Sequence, residues 1–370
     1  ETGLNRAGYF IALPILLFLC IATIRRSGCL PLPSFPKTRG KFLWRIRHLL
    51  PAGYAVLACL AISGGIFHAP NNYDALAYRV PRILNWIAEG QWHWIPTIFQ
   101  RLNTRACGIE WVSSPLLLLT GSDRLLFLPN AISFLLMPGL VFGVLFRLGV
   151  RKRLAWQWMW ILPTGYCYLL QAGSIGNDLY GTVLGLCAVD LALRSRASAR
   201  VEWTLLSVLA AGVMTAGKTN NMTLGLAWVV ILFPGLRDAF RKHAVKTLAV
   251  MIVAASASFL PTALLNQWYS GEWSGSRVEG LDAYTKGEPL ARLENNLALT
   301  ALQNAVPPVF PLASKWNSWI DATLPVAYRE RMEVLFEPGG AHWRLPELQI
   351  EEDASVGFGI MLLLLVGIAS

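Results

Sequence analysis

The sequence predicts an all-α fold, a polytopic transmembrane helical bundle, and three observations predict it. Apolar residues make up 54% of the 370 positions, the mean hydropathy is +0.45 and only 15% of residues are charged, well below the share a soluble globule carries. The basic excess, 32 Lys and Arg against 22 Asp and Glu, sits largely in short loops between apolar runs. There the positive-inside bias accounts for it as cytoplasmic charge, with no need of nucleic acid. No barrel-type alternation is visible, so helices are the way to satisfy backbone polar groups in lipid.

Each element follows from hydropathy and charge. Residues 1–50 read as an extra N-terminal transmembrane helix, apolar over 9–24, and a basic connector. Arg25 and Arg26 close the helix, and Lys37, Arg39, Lys41, Arg45 and Arg47 follow without an acidic residue, which makes the connector cytoplasmic. The opening Glu1-Thr2-Gly3 is set aside as a processing scar. Residues 51–265 form the transmembrane core. Span 51–67 crosses outward and delivers an external loop, 68–111, dense in Trp and charge. In it Val80, Ile83, Leu84 and Ile87 share one helical face, and the Trp content places helices at headgroup level. Residues 111–119 are too short to cross and read as interfacial or re-entrant.

Span 125–146 returns inward to Arg147, Arg151, Lys152 and Arg153, 156–170 goes out, and 179–193 comes in to Arg194, Arg196 and Arg200. Runs 203–216 and 219–234 form a hairpin with Gly217-Lys218 at its tip. Arg237, Arg241 and Lys242 mark the cytoplasmic side again, and 245–265 crosses outward. Residues 266–355 read as an external region with a few surface helices. The last stretch, 356–370, reads as the start of a further helix, truncated because it falls short of the ~20 residues a span needs. On this topology Asp74, Asp178, Lys218 and the late external region share one face, and every strongly basic loop lies on the other.

That shared face holds the candidate chemistry. Ionisable groups at a membrane boundary are functional candidates. Asp74 ends one span and is followed by Tyr78, Arg79 and Arg82. A carboxylate there suits general-base work on an attacking hydroxyl and stabilisation of a developing positive charge on a sugar; the alternative is a helix N-cap before Ala75. Guanidinium forks at Arg79 and Arg82 suit phosphate, or snorkel to headgroups. Asn177-Asp178 opens the 179–193 helix as a second acidic site or a plain cap. Lys218 suits phosphate or simply reaches water. His93, Glu110 and the run Glu351, Glu352, Asp353 form a lower tier. The histidines show no ligand spacing, so no zinc site is expected, and no nucleotide-binding Gly-rich fingerprint follows a strand. The six cysteines are scattered without a Cys-x-x-Cys pair and read as small buried apolar side chains.

In motif order the chain resembles the GT-C membrane glycosyltransferases, in particular the bacterial branch related to protein O-mannosyltransferases and aminoarabinose transferases. The resemblance runs from Pro51 to Pro234 and rests on Asp74 after the first core helix, Tyr78-Arg-Val-Pro-Arg82, Asn177-Asp178 and the hairpin Lys218. The family pattern has His where Arg79 stands and Thr-Lys-Gly where this chain has Gly217-Lys218-Thr219. The first departure removes a proton relay at position 79 and leaves a phosphate role. The resemblance implies inverting transfer of a hexosyl or pentosyl unit from a polyprenyl-phosphate donor to a glycan, lipid or protein acceptor. Asp74 and Asp178 would be catalytic, Arg79, Arg82 and Lys218 would bind the donor phosphate, and Tyr78, His93, Asn177, Glu352 and Asp353 would contact substrate. It implies a bacterial inner membrane protein with a periplasmic site, and it leaves a divalent metal open. A transporter or flippase of a lipid-linked saccharide is the alternative class and would show broken helices or repeated halves.

Overall fold

The computed structural model describes residues 5–27, 47–198, 200–279, 289–328, 330, 345–351 and 354–369. Among these the backbone is helical without a strand, and Val309 and Leu348 form an isolated antiparallel bridge. Three helical segments are long and apolar enough to cross a membrane, Leu49–Phe67, Asp123–Arg147 and Thr219–Ser256. The chain is a membrane protein by that criterion.

Helix α1 (Arg6–Ser27) touches the rest through its first turn, where Arg6 Nε donates to the Leu118 carbonyl at 3.1 Å. Helix α2 (Leu49–Phe67) packs Tyr54 and Ala58 into the main core with Phe134, Met137 and Val141. The Tyr54 hydroxyl donates to the Phe134 carbonyl at 2.6 Å, so its polar end is satisfied inside the bundle. The 68–111 segment then carries α3 (Val80–Glu89) and a single turn, α4 (Arg101–Thr104). Next come α5 (Gly108–Thr120) and α6 (Leu128–Arg147).

The run expected to cross as one span over 156–170 is divided. Helix α7 (Lys152–Ile161) gives way to a 3₁₀ turn at Leu162–Thr164 before α8 (Tyr166–Ala172). Pro163 supplies no N–H to the helical ladder, which opens it at this point. Helices α9 (Asp178–Ser198) and α10 (Val201–Gly217) follow as a tight antiparallel pair.

Helix α11 (Gly225–Ser256) doubles back on itself. His243 leaves helical geometry, at φ −144° and ψ 50°. Trp228 and Ala254 border one groove together with Ala211 and Gly212 of α10, whereas a straight helix would hold them about 39 Å apart at ~1.5 Å per residue. Trp228 Nε1 donates to Ser207 Oγ of α10 at 2.8 Å, and Phe259 N donates to Thr215 Oγ1 at 3.3 Å. The first leg thus descends along α10 and the second climbs beside it, as the basic marker Arg237, Arg241, Lys242 led one to expect. The second leg ends at Ser256, and a new helix, α12 (Leu260–Ser270), begins with Pro261 in its first turn. Helices α13 (Pro289–Ala305), α14 (Ala313–Thr323) and α15 (Phe358–Ala369) complete the described chain.

The two ends of the bundle differ in charge. At one end the α6 terminus is fixed through Asp190, which is buried and accepts from Arg147 Nη1 and Arg194 Nε, both at 2.7 Å. At the other end the termini of α2, α9 and α10 meet the 68–111 segment and residues 345–351.

Candidate functional site

The site is assembled at that second end, starting from a local irregularity. Residues Ala75–Arg79 form a π turn between Asp74 and α3. Pro81 has no N–H for the Ala77 carbonyl, and this loosens the ladder just where the turn widens. The wider turn brings position i+5 back over position i, which a 3.6-residue turn would carry well past. Tyr78 and Arg79 therefore both reach Asp74. The Tyr78 hydroxyl donates to Oδ2 at 2.6 Å and Arg79 Nη2 does so at 3.2 Å.

Asp74 does not cap the helix. Asn72 does so, its Oδ1 accepting from Ala75 N at 2.7 Å, and the Asp74 side chain makes no capping bond. Both bonds to Asp74 fall on Oδ2, and Oδ1 has no partner among the described residues. The side chain is 38% exposed. This is a carboxylate held in orientation with one oxygen presented.

Beneath it lies a buried charge network. Glu110, fully buried on α5, accepts through Oε1 from Arg79 Nη1 at 3.2 Å and from Arg82 Nη1 at 3.3 Å. Burial pushes the Arg79 guanidinium pKa down, but Glu110, Tyr78, Asp74 and Asp178 outweigh that, and the net shift is upward. Arg82 spends its remaining donors on backbone: Nε to Leu102 O at 2.6 Å, Nη2 to Arg101 O at 2.9 Å, and Nη1 also to Ala106 O at 3.4 Å. The Tyr78 ring lies within 4.9 to 5.8 Å of the Arg79, Arg82 and Arg101 guanidinium carbons. Burial raises the Tyr78 phenol pKa, with Asp74 and Glu110 adding and Arg79 opposing. Tyr78 is thus kept as a donor.

The second acidic site neighbours the first, with Asp178 near enough to act electrostatically on Arg79. Lys218 Nζ pairs with Asp178 Oδ1, and Gln171 Nε2 donates to Oδ2 at 3.1 Å. Gln171 Oε1 accepts from Leu179 N at 2.7 Å, so Gln171 fixes the start of α9 as well as the Asp178 carboxylate. Asn177 Nδ2 donates to the Gly217 carbonyl at 2.7 Å, tying α9 to the end of α10. The two sites are brought together where α5 meets α10. A Cβ on Gly108 would stand 2.7 Å from Ala216 Cβ and backbone, so only glycine allows this approach, and Glu110 sits two residues further on.

The late region closes on the same end. Glu279 accepts from Arg105 Nη2 at 2.6 Å, from Arg101 Nε at 3.5 Å and from the Thr104 hydroxyl. Asn266, fully buried on α12, donates to Thr104 O and Trp273 O. Glu351 accepts from Asn72 Nδ2 and Ser174 Oγ, each at 2.9 Å. Beside Glu351 is a cavity of about 710 Å³, lined by His68, Asn71, Asn72, Tyr73, Tyr166 and Ser174 among others.

Of the residues expected from sequence, Asp74, Tyr78, Arg79 and Arg82 thus form one network and Asp178, Asn177 and Lys218 its neighbour. His93 lies apart, its Nδ1 near the Gln91 carbonyl at 3.0 Å, in a small pocket with Trp86, Trp92 and Cys107. Glu352 and Asp353 lie outside the described residues. Arg82 is engaged wholly by the protein, so its charge serves to hold α3 against α4 and α5. Sequence reasoning missed Gln171 and Glu279, whose partners are set by packing; the pairs of Glu279 lie 174 to 178 positions away. No cluster of three His, Cys, Asp or Glu side chains suited to a metal occurs among the described residues. No protein family, characterised protein or solved structure matches this chain.

Proposed function

We propose that this protein is a GT-C-type membrane glycosyltransferase that takes a sugar from a polyprenyl-phosphate donor at the boundary where Asp74 lies, the periplasmic face of a bacterial inner membrane. The observation that carries the reading is the Asp74 carboxylate, which caps nothing, is oriented by Tyr78 and Arg79, and offers a free oxygen beside a second acid–base pair, Asp178 with Lys218.

In this reading Asp74 Oδ1 accepts the proton of the acceptor hydroxyl as its oxygen attacks the anomeric carbon. The bond from that carbon to the phosphate oxygen breaks, and polyprenyl phosphate departs with the electron pair. Attack opposite the leaving group inverts the anomeric centre. Lys218, 39% exposed, would meet the donor phosphate through a charge-assisted hydrogen bond, whereas Arg79, 1% exposed and paired with Asp74 and Glu110, orients Asp74. Arg82 positions the turn.

The test is transfer of labelled sugar from a panel of short-chain polyprenyl-phosphate sugars by the purified protein in nanodiscs, with donor binding measured separately. Asp74→Asn should lower turnover by ~10²–10⁴-fold, the usual worth of a positioned base, while donor affinity holds. Lys218→Ala should weaken donor binding roughly tenfold or more. Wild-type turnover in Asp74→Asn would remove the base. Movement of intact donor between leaflets without bond cleavage would replace the enzyme by a flippase.

A further inference from the structure

At the opposite end of the bundle lies a second cavity, of about 500 Å³, which glycosyl transfer does not use. It opens where α9 ends, α10 begins and α11 reverses, and Arg196, Arg200, Glu202, Asp238, Lys242 and His243 line it. We propose that it is a binding site for the phosphate headgroup of an anionic lipid. The proposal rests on the membrane character of the chain and is independent of the glycosyltransferase reading.

Three observations carry it. The first is charge. The two chain segments that meet here supply Arg194, Arg196, Arg200, Arg237, Arg241, Lys242 and Lys246, against Glu202 and Asp238. Part of this is already used, since Arg194 pairs with Asp190 and Arg237 approaches Asp238 at 3.8 Å. Of the charges that line the cavity itself, Arg196, Lys242 and Arg200, which has a partner of its own, outnumber Glu202 and Asp238 three to two. Phosphate attracts guanidinium and ammonium together, and basic pockets between helices near a membrane surface are suited to anionic headgroups.

The second is the floor. Ser195 and Thr204 are buried, and their hydroxyls share one hydrogen bond of 2.6 Å. One hydroxyl hydrogen serves that bond, and the other has no acceptor among the described residues. It is available to a phosphate oxygen. Gly235 keeps the floor tight, because a Cβ there would stand 2.6 Å from Ser195 Oγ and 3.0 Å from Thr204 Oγ1.

The third is the apolar surface leading to it. Leu226, Val229, Val230 and Phe233 on the first leg of α11, and Val245, Leu248 and Ile252 on the second, are exposed large apolar side chains. In a membrane protein these face acyl chains. A polar, cationic cavity at the tip of an acyl-facing hairpin fits an amphiphile with phosphate at its head, and it fits a free phosphate ester less well.

The experiment uses the full chain in detergent micelles, delipidated and then titrated with phosphatidylglycerol, phosphatidylcholine or inorganic phosphate, with bound species counted by native mass spectrometry. Phosphatidylglycerol should bind with defined stoichiometry and phosphatidylcholine at least tenfold more weakly. The triple variant Arg196→Gln, Arg200→Gln, Lys242→Gln removes exposed side chains and should fold; it should lose phosphatidylglycerol affinity roughly tenfold or more. A charge-matched control at the same end but outside the cavity, Arg151→Gln, Lys152→Gln, Arg153→Gln, should retain it. Competition by inorganic phosphate at equal effectiveness would keep the anion site but assign it to a soluble phosphate ester, overturning the lipid. Equal losses in the two triple variants would reduce the effect to diffuse surface attraction and overturn the site.

Discussion

Glu110 holds two buried guanidinium groups with one carboxylate oxygen, and its removal separates structural from chemical roles at the level of single residues. Arg79 would keep Asp74, but Arg82 would lose its counter-charge while 0% exposed. Breaking a buried pair on one side costs about 3–5 kcal/mol, because the partner stays buried and uncompensated. Glu110→Ala is therefore expected to destabilise the protein by that order, and Glu110→Gln, which keeps an acceptor, by less. Asp74→Asn should stay within about 1 kcal/mol of wild type, since its pair is part-exposed. Thermal unfolding of the three variants in one detergent checks the ranking. A Glu110→Ala protein as stable as Asp74→Asn would contradict the network. The sequence showed Arg79 and Arg82 following closely on Asp74. It did not reveal that both are buried, because their partner lies 31 and 28 positions away and no periodicity reports an ion pair across elements. The apolar face read from Val80, Ile83, Leu84 and Ile87 holds at three positions, with Ile83 buried and Val80 and Ile87 packed beside it, and departs at the fourth. Leu84 is exposed, and the buried face runs through Ala75, Tyr78, Arg79, Arg82, Ile83 and Trp86. The two arginines occupy this core face because carboxylates and, for Arg82, backbone carbonyls meet most of their donors, Arg79 Nε excepted.

Among elements, the contact of α5 with α10 matters most for the site, because it aligns Glu110 with the end of the hairpin that carries Lys218. Gly108→Ala is expected to push the two helices apart by a few tenths of an ångström or more, since the obstructing atoms include the Ala216 backbone. Overpacking of this kind costs about 1–3 kcal/mol. The same displacement moves Arg79 relative to Asp178, so labelled-sugar transfer should fall further than the loss of folded protein explains. Transfer normalised to folded protein, compared with that of Gly53→Ala, where a Cβ meets nothing within 4 Å, makes the measurement. Equal normalised transfer would show that the contact serves stability alone. Helix existence was legible here because apolar runs bounded by Arg and Lys clusters announce themselves. The breaks were less so. Pro163 gave a local reason to divide α7 from α8, yet the apolar run continues across it. At His243 no Gly or Pro marks the reversal, and only the basic cluster around it located the turn.

At the scale of the whole molecule, the two ends of the bundle carry different chemistry. Asp74, Asp178, Lys218, Glu279 and Glu351 gather at one end through named contacts, and the Arg147, Arg194 and Lys242 groups lie at the other. The parity of spans counted from sequence predicts this same division, because the runs read as spans would carry the chain from one end to the other and basic loops punctuate every second crossing. What parity could not give is which carboxylates meet. The single-face arrangement has a direct consequence for accessibility. In a background lacking Cys20, Cys29, Cys59, Cys107, Cys167 and Cys187, Asn71→Cys and Ser318→Cys introduce thiols at exposed positions in the 68–111 segment and on α14. Lys152→Cys and Ser198→Cys do so at exposed positions of the basic end. A membrane-impermeant maleimide added to right-side-out vesicles is expected to label the first pair and spare the second, with the pattern reversed in inverted vesicles. The charge bias predicts which pair faces the cytoplasm, and the helix reversals predict that each pair moves together. Labelling of Asn71→Cys and Ser198→Cys from the same side would mean that α9, or a segment before it, does not cross. The carboxylate end and the basic end would then share one aqueous compartment, and neither the glycosyl-transfer site nor the headgroup cavity would lie at the membrane depth assigned to it.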